Sequence, residues 1–203
     1  ITNSSNSYYL DGNIIKKRPD LELIMVNPFD SYQFHNSKSF RRNWMDDKFS
    51  QLDIHYKKTL KKYNNILKFR NNLLSKRPSK FLDQIKSIDL DFAILSFELI
   101  KTRCETVNNL NKYLQTIFNS VFEESIKLEI VVNSKFKRLS VEEIHNALQS
   151  GLNKDCSSFV TSYGVHRDDY ILLFNGMNIF EFCSLGQQKM GYLSLLFAYI
   201  KLF

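Results

Sequence analysis

The sequence has little of what marks a metal protein, a secreted protein or a membrane protein. Its three cysteines, Cys104, Cys156 and Cys183, are an odd, widely spaced set with no C-x-x-C pair. Such a set supplies neither a disulfide framework nor a zinc site. The four histidines, His35, His55, His145 and His166, are equally scattered, so no protein-only metal site is expected. No run approaches the roughly 18 apolar residues that a membrane helix requires, and the most apolar stretch, 193–203, contains Lys201. Residues 1–20 are polar and lack the apolar core of a signal peptide. A cytoplasmic protein is predicted. Three catalytic devices are missing as well. There is no G-x-x-x-x-G-K-[ST] loop to cradle β- and γ-phosphates, and no apolar strand ends in paired acids that could hold magnesium. No Ser/His/Asp or Cys/His spacing makes a nucleophilic triad. By itself the chain is not expected to hydrolyse a nucleoside triphosphate.

What is present describes a folded protein. At 203 residues, with 43% hydrophobic and 24% charged residues, the chain can bury a core as one large domain or two small ones. The net charge of +7 favours a polyanion partner, because each neutralised phosphate releases counterions. The general abundance of Lys, Asn, Ile, Phe and Tyr weakens that inference, since codon bias alone raises lysine. The chain starts at Ile1 and stops inside an apolar helix at Leu202-Phe203, without a helix-ending Gly, Asn or Pro. This leads us to expect a piece of a longer protein.

Along the chain, Asp11-Gly12 between two short β-prone runs predicts a hairpin, and 21–26 is a further strand candidate. From about Ser39 the pattern is helical. Leu52, Tyr56, Leu60, Tyr63, Leu67 and Leu74 recur at helical spacing, and the segment 75–78 breaks the run. A second long helix carries Phe92, Leu95, Leu99, Leu110, Leu114, Ile117 and Val121 on one face. The pair makes either an antiparallel helical arm or two members of a compact bundle. A strand is expected at 128–132. The Ser140-Val-Glu-Glu143 capping box should open a helix to about Leu152, followed by a polar loop through Asp155 and Ser157-Ser158. Strands at 171–174 and 177–182 flank Asn175-Gly176, a strong hairpin signal.

Three segments carry chemistry. Ser184-Leu-Gly186-Gln187-Gln188-Lys189 places a hydroxyl, a glycine and two amides where an apolar helix starts. Unpaired N–H groups and the helix dipole attract anions there, although a plain helix cap would look the same. Gly164-Val165-His166-Arg167-Asp168-Asp169 sets four ionisable residues side by side, either as a paired network or as a solvated turn. Ser39-Phe-Arg41-Arg42-Asn-Trp44-Met-Asp46 pairs two arginines before an aromatic at a helix start, a weak phosphate signal when taken alone.

Together and in this order, these segments resemble the RecF family of bacterial DNA replication and repair proteins. The family's serine, paired arginines, aromatic and Asp are similar to Ser39, Arg41-Arg42, Trp44 and Asp46. Its Tyr…Arg-Asn…Leu-Leu helix resembles Tyr63, Arg70-Asn71 and Leu73-Leu74. Its Gly-Pro-His-Arg-Asp-Asp resembles 164–169, its Asn-Gly hairpin matches Asn175-Gly176, and its Ser-x-Gly-Gln-Gln-Arg signature resembles 184–189. The resemblance runs from about Tyr8 to Phe203. The chain departs from the pattern at Val165 (usually Pro), Lys189 (usually Arg), Met190 (usually Thr) and in Asn27-Pro28-Phe29-Asp30, which keeps part of a Ser-Pro-Glu-Asp.

The resemblance implies a mixed α/β fold: an ABC-ATPase-like head lobe with an inserted helical domain bearing two long antiparallel helices. The lobe would hold 1–38 and 126–203, and the insertion 39–125. It implies ATP, with Mg, sandwiched between two subunits. Ser184 and Gly186 of one subunit would reach the γ-phosphate held by the other, with Gln187, Gln188 and Lys189 shaping the turn. His166, Arg167, Asp168 and Asp169 would form a supporting polar network. DNA, single- or double-stranded at gaps and ends, would be clamped on ATP-dependent homodimerisation, with Arg41, Arg42, Lys57, Lys58, Lys61 and Lys62 as candidate contacts. Further partners would be recombination-mediator proteins of the same pathway, in gap repair and the SOS response. The alternatives are another SMC-like ATPase head, for which these helices are short, and a non-catalytic helical interaction module in which Ser184 only caps a helix.

Overall fold

The computed structural model describes residues 8–10, 13–15, 27, 29–120 and 126–203 and divides the chain into two compact units, 1–30 and 31–203. In the first, β1 (Tyr8–Leu10) pairs antiparallel with β2 (Asn13–Ile15), with Tyr8 opposite Ile15. The predicted hairpin therefore forms. Its Asp11-Gly12 turn lies outside the described residues, as do the strand expected at 21–26 and Val121.

The larger unit begins with α1 (Asp30–Asn36) and α2 (Lys38–Leu52), separated by Ser37, whose Oγ accepts from Phe40 N at 3.2 Å. The helical repeat expected to run on through Leu52 breaks at Asp53. Its extended backbone ends α2, and its carboxylate accepts from His55 N at 2.7 Å to open α3 (Ile54–Lys76). Arg77 then takes a left-handed φ of 48°. Pro78 disfavours the helical conformation for the residue before it. The 39-residue α4 (Phe81–Asn119) follows after this short turn.

Helix α4 is the spine of the unit. It is buried at Ile85, Phe92, Leu99, Val107, Leu110, Leu114 and Phe118, a stripe at helical spacing that packs on α3 and on three later elements. These are α5 (Val141–Ser158), α7 (Leu185–Leu202) and the first strand of the central sheet. Each fully buried apolar side chain of this kind contributes on the order of 1.5–3 kcal/mol. Burial along both long helices makes them part of the packed body rather than a free-standing arm.

The sheet is antiparallel, in the order β3 (Leu128–Asn133), β4 (Asp169–Phe174), β5 (Met177–Asn178), with Ile130 opposite Leu172. Leu128, Ile130 and Val132 alternate inward. Asn175 and Gly176 both have positive φ, 49° and 80°, as a tight two-residue hairpin turn requires. The expected strand 177–182 is corrected to two residues. Asn178 Oδ1 accepts from Phe180 N at 3.1 Å and starts the short helix α6 (Ile179–Phe182). The free edge of β3 is closed by α4. Asn111 exchanges two bonds with Ile130, to its O at 2.9 Å and from its N at 2.8 Å. One turn on, Gln115 donates to Ile126 O at 2.9 Å and accepts from Leu128 N at 2.8 Å.

The capping box at Ser140 forms reciprocally with Glu143. The helix it opens runs past the expected Leu152 to Ser158, so the supposed polar loop is the last turn and a half of α5. Asp155 points inward there and is 1% exposed. Among the described residues no helix is long and apolar enough to cross a membrane, and no group of His, Cys, Asp or Glu could hold a metal.

Candidate functional site: the capped turn of α7 and the network behind it

Ser184 is the N-cap of α7. Its Oγ accepts from Gln187 N at 3.3 Å, while Gln187 Oε1 accepts from Ser184 N at 2.9 Å. The first turn is exposed at Ser184, Leu185, Gly186 and Lys189, whereas Gln188 is buried. Gln188 Nε2 donates to the carbonyls of Phe180 and Cys183 at 3.2 and 2.9 Å, tying α6 to the turn. Its own carbonyl accepts from His35 Nε2 at 3.0 Å, and the His35 ring stacks on Phe180 at 6.0 Å. Burial lowers the His35 pKa, which keeps the ring neutral and able to donate from this nitrogen. Gly186 stands apart. Its φ is not positive, and a Cβ placed on it would meet only Ser184 Oγ, at 3.9 Å.

The 164–169 segment folds back onto the helices instead of lying in solvent. Gly164 (φ 151°) is required, because a Cβ would lie 2.5 Å from Tyr63 Oη. The 3-10 turn Val165–Arg167 follows. His166 Nε2 faces the carbonyl of Thr161 at 3.1 Å, so it carries the proton, and Tyr63 Oη donates to Nδ1 at 2.7 Å. Burial, against the pull of that carbonyl, takes the His166 pKa down to about 4. His166 is thus a neutral link within the fold. Arg167 is largely exposed and touches Thr161 O at 3.3 Å.

Asp168 and Asp169 each meet an arginine from a different helix. Arg41 forks onto Asp169 at 2.7 and 2.9 Å and donates to the carbonyls of Phe34 and His35, both at 2.7 Å. Arg42 donates to Asp168 O at 2.9 Å. The two arginines expected at phosphate are therefore engaged inside the chain, Arg41 with most of its fork. Through His35, Arg41 also joins α1 to the turn at Gln188. The lysines Lys57, Lys58, Lys61 and Lys62 flank Tyr56 and Tyr63 in sequence but are themselves exposed on α3, without a carboxylate partner among the described residues.

Of the two arginines at the centre, the sequence marks Arg70 only as part of a helix pattern and does not reveal Arg103. Arg103 of α4 is 1% exposed. It donates to Asp168 at 2.9 Å, to both oxygens of Asp46 at 2.8 and 2.9 Å, to Val165 O at 2.8 Å and to Tyr56 Oη at 2.9 Å. Tyr56 in turn donates a short bond to Asp46. Burial pushes the Asp168 carboxyl up to about 6 against the pull of Arg103. Arg70 of α3, fully buried, reaches Asp89 at 2.8 Å, Asp155 at 2.6 Å and Thr161 Oγ1 at 2.9 Å. A signal was available: Arg70, Asp89 and Arg103 each occupy a core register of an otherwise apolar helix stripe, where a charge must find a partner.

This architecture, a helical body around a short antiparallel sheet, is that of solved recombination mediators. The chain superposes on the RecF–ATPrS structure of the RecFOR pathway with a TM-score of 0.82 and 26% identity, covering 94% of this chain and 54% of that one. On the RecF–ATP structure the values are 0.80, 25%, 96% and 55%. No family model matches. Curated relatives named DNA replication and repair protein RecF include that of Lachnoclostridium phytofermentans, 30% identical over 98% of this chain and 56% of its own length. That of Clostridium acetobutylicum is 31% identical over 89% and 50%. The class is thus a mixed α/β recombination-mediator fold. Over nearly its whole length the chain is similar to RecF-family proteins in sequence and fold, and it spans about half the length of the curated relatives it matches.

Proposed function

We propose that this chain supplies the signature half of an ATP site in a DNA replication and repair protein acting in recombinational gap repair and the SOS response. ATP, with Mg held by segments beyond this sequence, is sandwiched between two copies. The Ser184 hydroxyl and the Gly186 backbone of one copy face the γ-phosphate bound by the other. Gln187 closes the cap and Gln188 anchors it, while Lys189 stands exposed beside it. The 164–169 network and Arg41 hold the turn against the helices, and the 39–125 helices are an insertion into the ATPase-like lobe. Dimerisation clamps DNA, and recombination mediators of the same pathway bind the assembly.

The observation that carries this proposal is Gly186. A glycine in an exposed helical turn costs up to about 1 kcal/mol relative to alanine, and nothing among the described residues needs it: its φ is ordinary and a Cβ there would meet only Ser184 Oγ, at 3.9 Å. Absence of a side chain there makes sense if something outside this chain approaches closely. The capping box explains Ser184 and Gln187 but leaves Gly186 without a role, so the interaction-module alternative accounts for less. The test is sedimentation velocity on the protein as its gene encodes it, with and without ATP. The wild type should dimerise only with ATP, and Ser184→Arg should remain monomeric while staying folded, its melting temperature lowered only by the roughly 2–4 °C that a lost helix cap of about 1 kcal/mol costs. ATP-dependent dimers of that variant would refute the proposal.

A further inference from the structure

We infer that the nucleic-acid backbone is gripped in a basic cleft formed by Lys38, Lys135, Lys154 and Arg167, and not chiefly on the α3 lysines; this rests on the DNA-binding proposal above. The cleft is a cavity of about 430 Å³ into which four separate segments each send one cation: the start of α2, the loop after β3, α5 and the 3-10 turn. All four residues are exposed. The Lys135 and Lys154 ammoniums both lie over the ring of Tyr163, 4.8 and 5.8 Å from its centroid. Among the described residues no carboxylate balances these two. The two acids in the wall, Asp168 and Asp169, are buried and already closed by Arg103 and Arg41 at 2.9 and 2.7 Å. Lys38 alone of the four comes near an acid, 3.8 Å from Asp169.

Converging cations with little counter-charge repel one another, and an anion entering among them relieves that repulsion. The chemistry favours a phosphodiester chain. Separate ammoniums on flexible stems act as point charges that track single charges along a backbone. A terminal triphosphate is instead held by a glycine-rich nest of backbone N–H groups, and Gly164 is the lone glycine in this wall. Asn133 and Ser162 add neutral polar groups, and Lys137 and Arg138 carry the positive surface on along the same loop.

The experiment is fluorescence anisotropy of the gene-encoded protein on a labelled gapped oligonucleotide between 50 and 200 mM NaCl. Three variants are compared: Lys135→Ala, Lys154→Ala and the double. Their side chains are exposed, and thermal melting checks the fold. The double variant should bind about ten-fold or more weaker at 150 mM, and its log–log salt slope should be shallower by about 2, close to 0.9 for each phosphate no longer neutralised. Wild-type affinity and slope in the double variant, with loss instead in Lys57→Ala/Lys58→Ala/Lys61→Ala/Lys62→Ala, would sink the cleft and leave DNA binding intact. A wild type that binds no DNA would sink both. Weakened ATP binding in the double variant, with unchanged oligonucleotide binding, would overturn the assignment in favour of a mononucleotide.

Discussion

Replacing Arg103 by methionine probes the centre of the molecule, because the side chains it joins come from α2, α3 and the 164–169 segment. Methionine fills part of the volume but leaves Asp168, 3% exposed, as a buried carboxylate, and strands the carbonyl of Val165. Asp46 is only part-buried and can turn toward water. Breaking one side of a buried pair costs about 3–5 kcal/mol, and an orphaned buried acceptor about 1–3. A loss of about 5 kcal/mol is expected, against a whole-domain stability of about 5–15. With an m value of about 2–3 kcal/mol per molar urea, the midpoint should fall by about 2 M. Two further measurements make the cause identifiable. Arg103→Met/Asp168→Asn should regain about 2 kcal/mol or more, since the stranded charge is gone. The deficit should also shrink as pH falls. Asp168 already holds its proton up to about pH 6 in the intact fold, above the ordinary carboxylate range. Without Arg103 its folded pKa climbs further. The folded variant then binds a proton that the unfolded chain does not, and its stability is regained as pH drops from 8 toward 5. His166 titrates the opposite way, its lowered pKa costing stability below about pH 6.5, but it does so in both proteins and cancels in the comparison. A deficit that is constant between pH 8 and 5, or a double variant no better than the single, would refute the stranded-charge account.

Gly186→Ala should raise stability by about 0.5–1 kcal/mol in urea titration, since alanine is the better helix former and its Cβ would meet nothing closer than Ser184 Oγ at 3.9 Å. The same change should abolish ATP-dependent dimerisation, and a variant both more stable and fully competent would remove the rationale for the glycine. Tyr170→Phe should be neutral or stabilising by up to about 1 kcal/mol. Its buried hydroxyl has no hydrogen-bond partner among the described residues, so removing it relieves a desolvation cost. A loss above 1 kcal/mol in the same titration would mean that the hydroxyl has an unseen partner.

Local chemistry was legible in the sequence wherever a few adjacent residues decide the outcome. Ser140-x-x-Glu143 and Asn175-Gly176 produced the capping box and the hairpin turn that their residue types require, and Ser184 caps the helix it precedes. Where competition between signals decided, the sequence misled. The β-prone run at 177–182 lost to an Asn178 cap. The polar end of α5 looked like a loop because only Asp155 of its last turn is fully buried, and a lone inward acid carries no apolar period. The site was half visible. His166-Arg-Asp-Asp169 and Arg41-Arg42 stood out as charge clusters, yet their being partners, 128 positions apart at Arg41 and Asp169, is a fact of tertiary folding. Arg103 sat unnoticed in an apolar stripe for the same reason. A sequence displays that a charge is in the core, but not which distant acid receives it.

The amides of Asn111 and Gln115 have a mechanical consequence. Hydrogen-bonded to the margin of β3 at four points, they lock α4 to the sheet like teeth in a rack. Sliding by one residue would break all four bonds at once and expose the strand's polar groups. Sheet and spine must therefore travel as one rigid lever, with Arg103 partway along it. Bending between the long helices falls instead to the breaks in regular helix at Asp53 and at the left-handed residues Arg77 and Lys80.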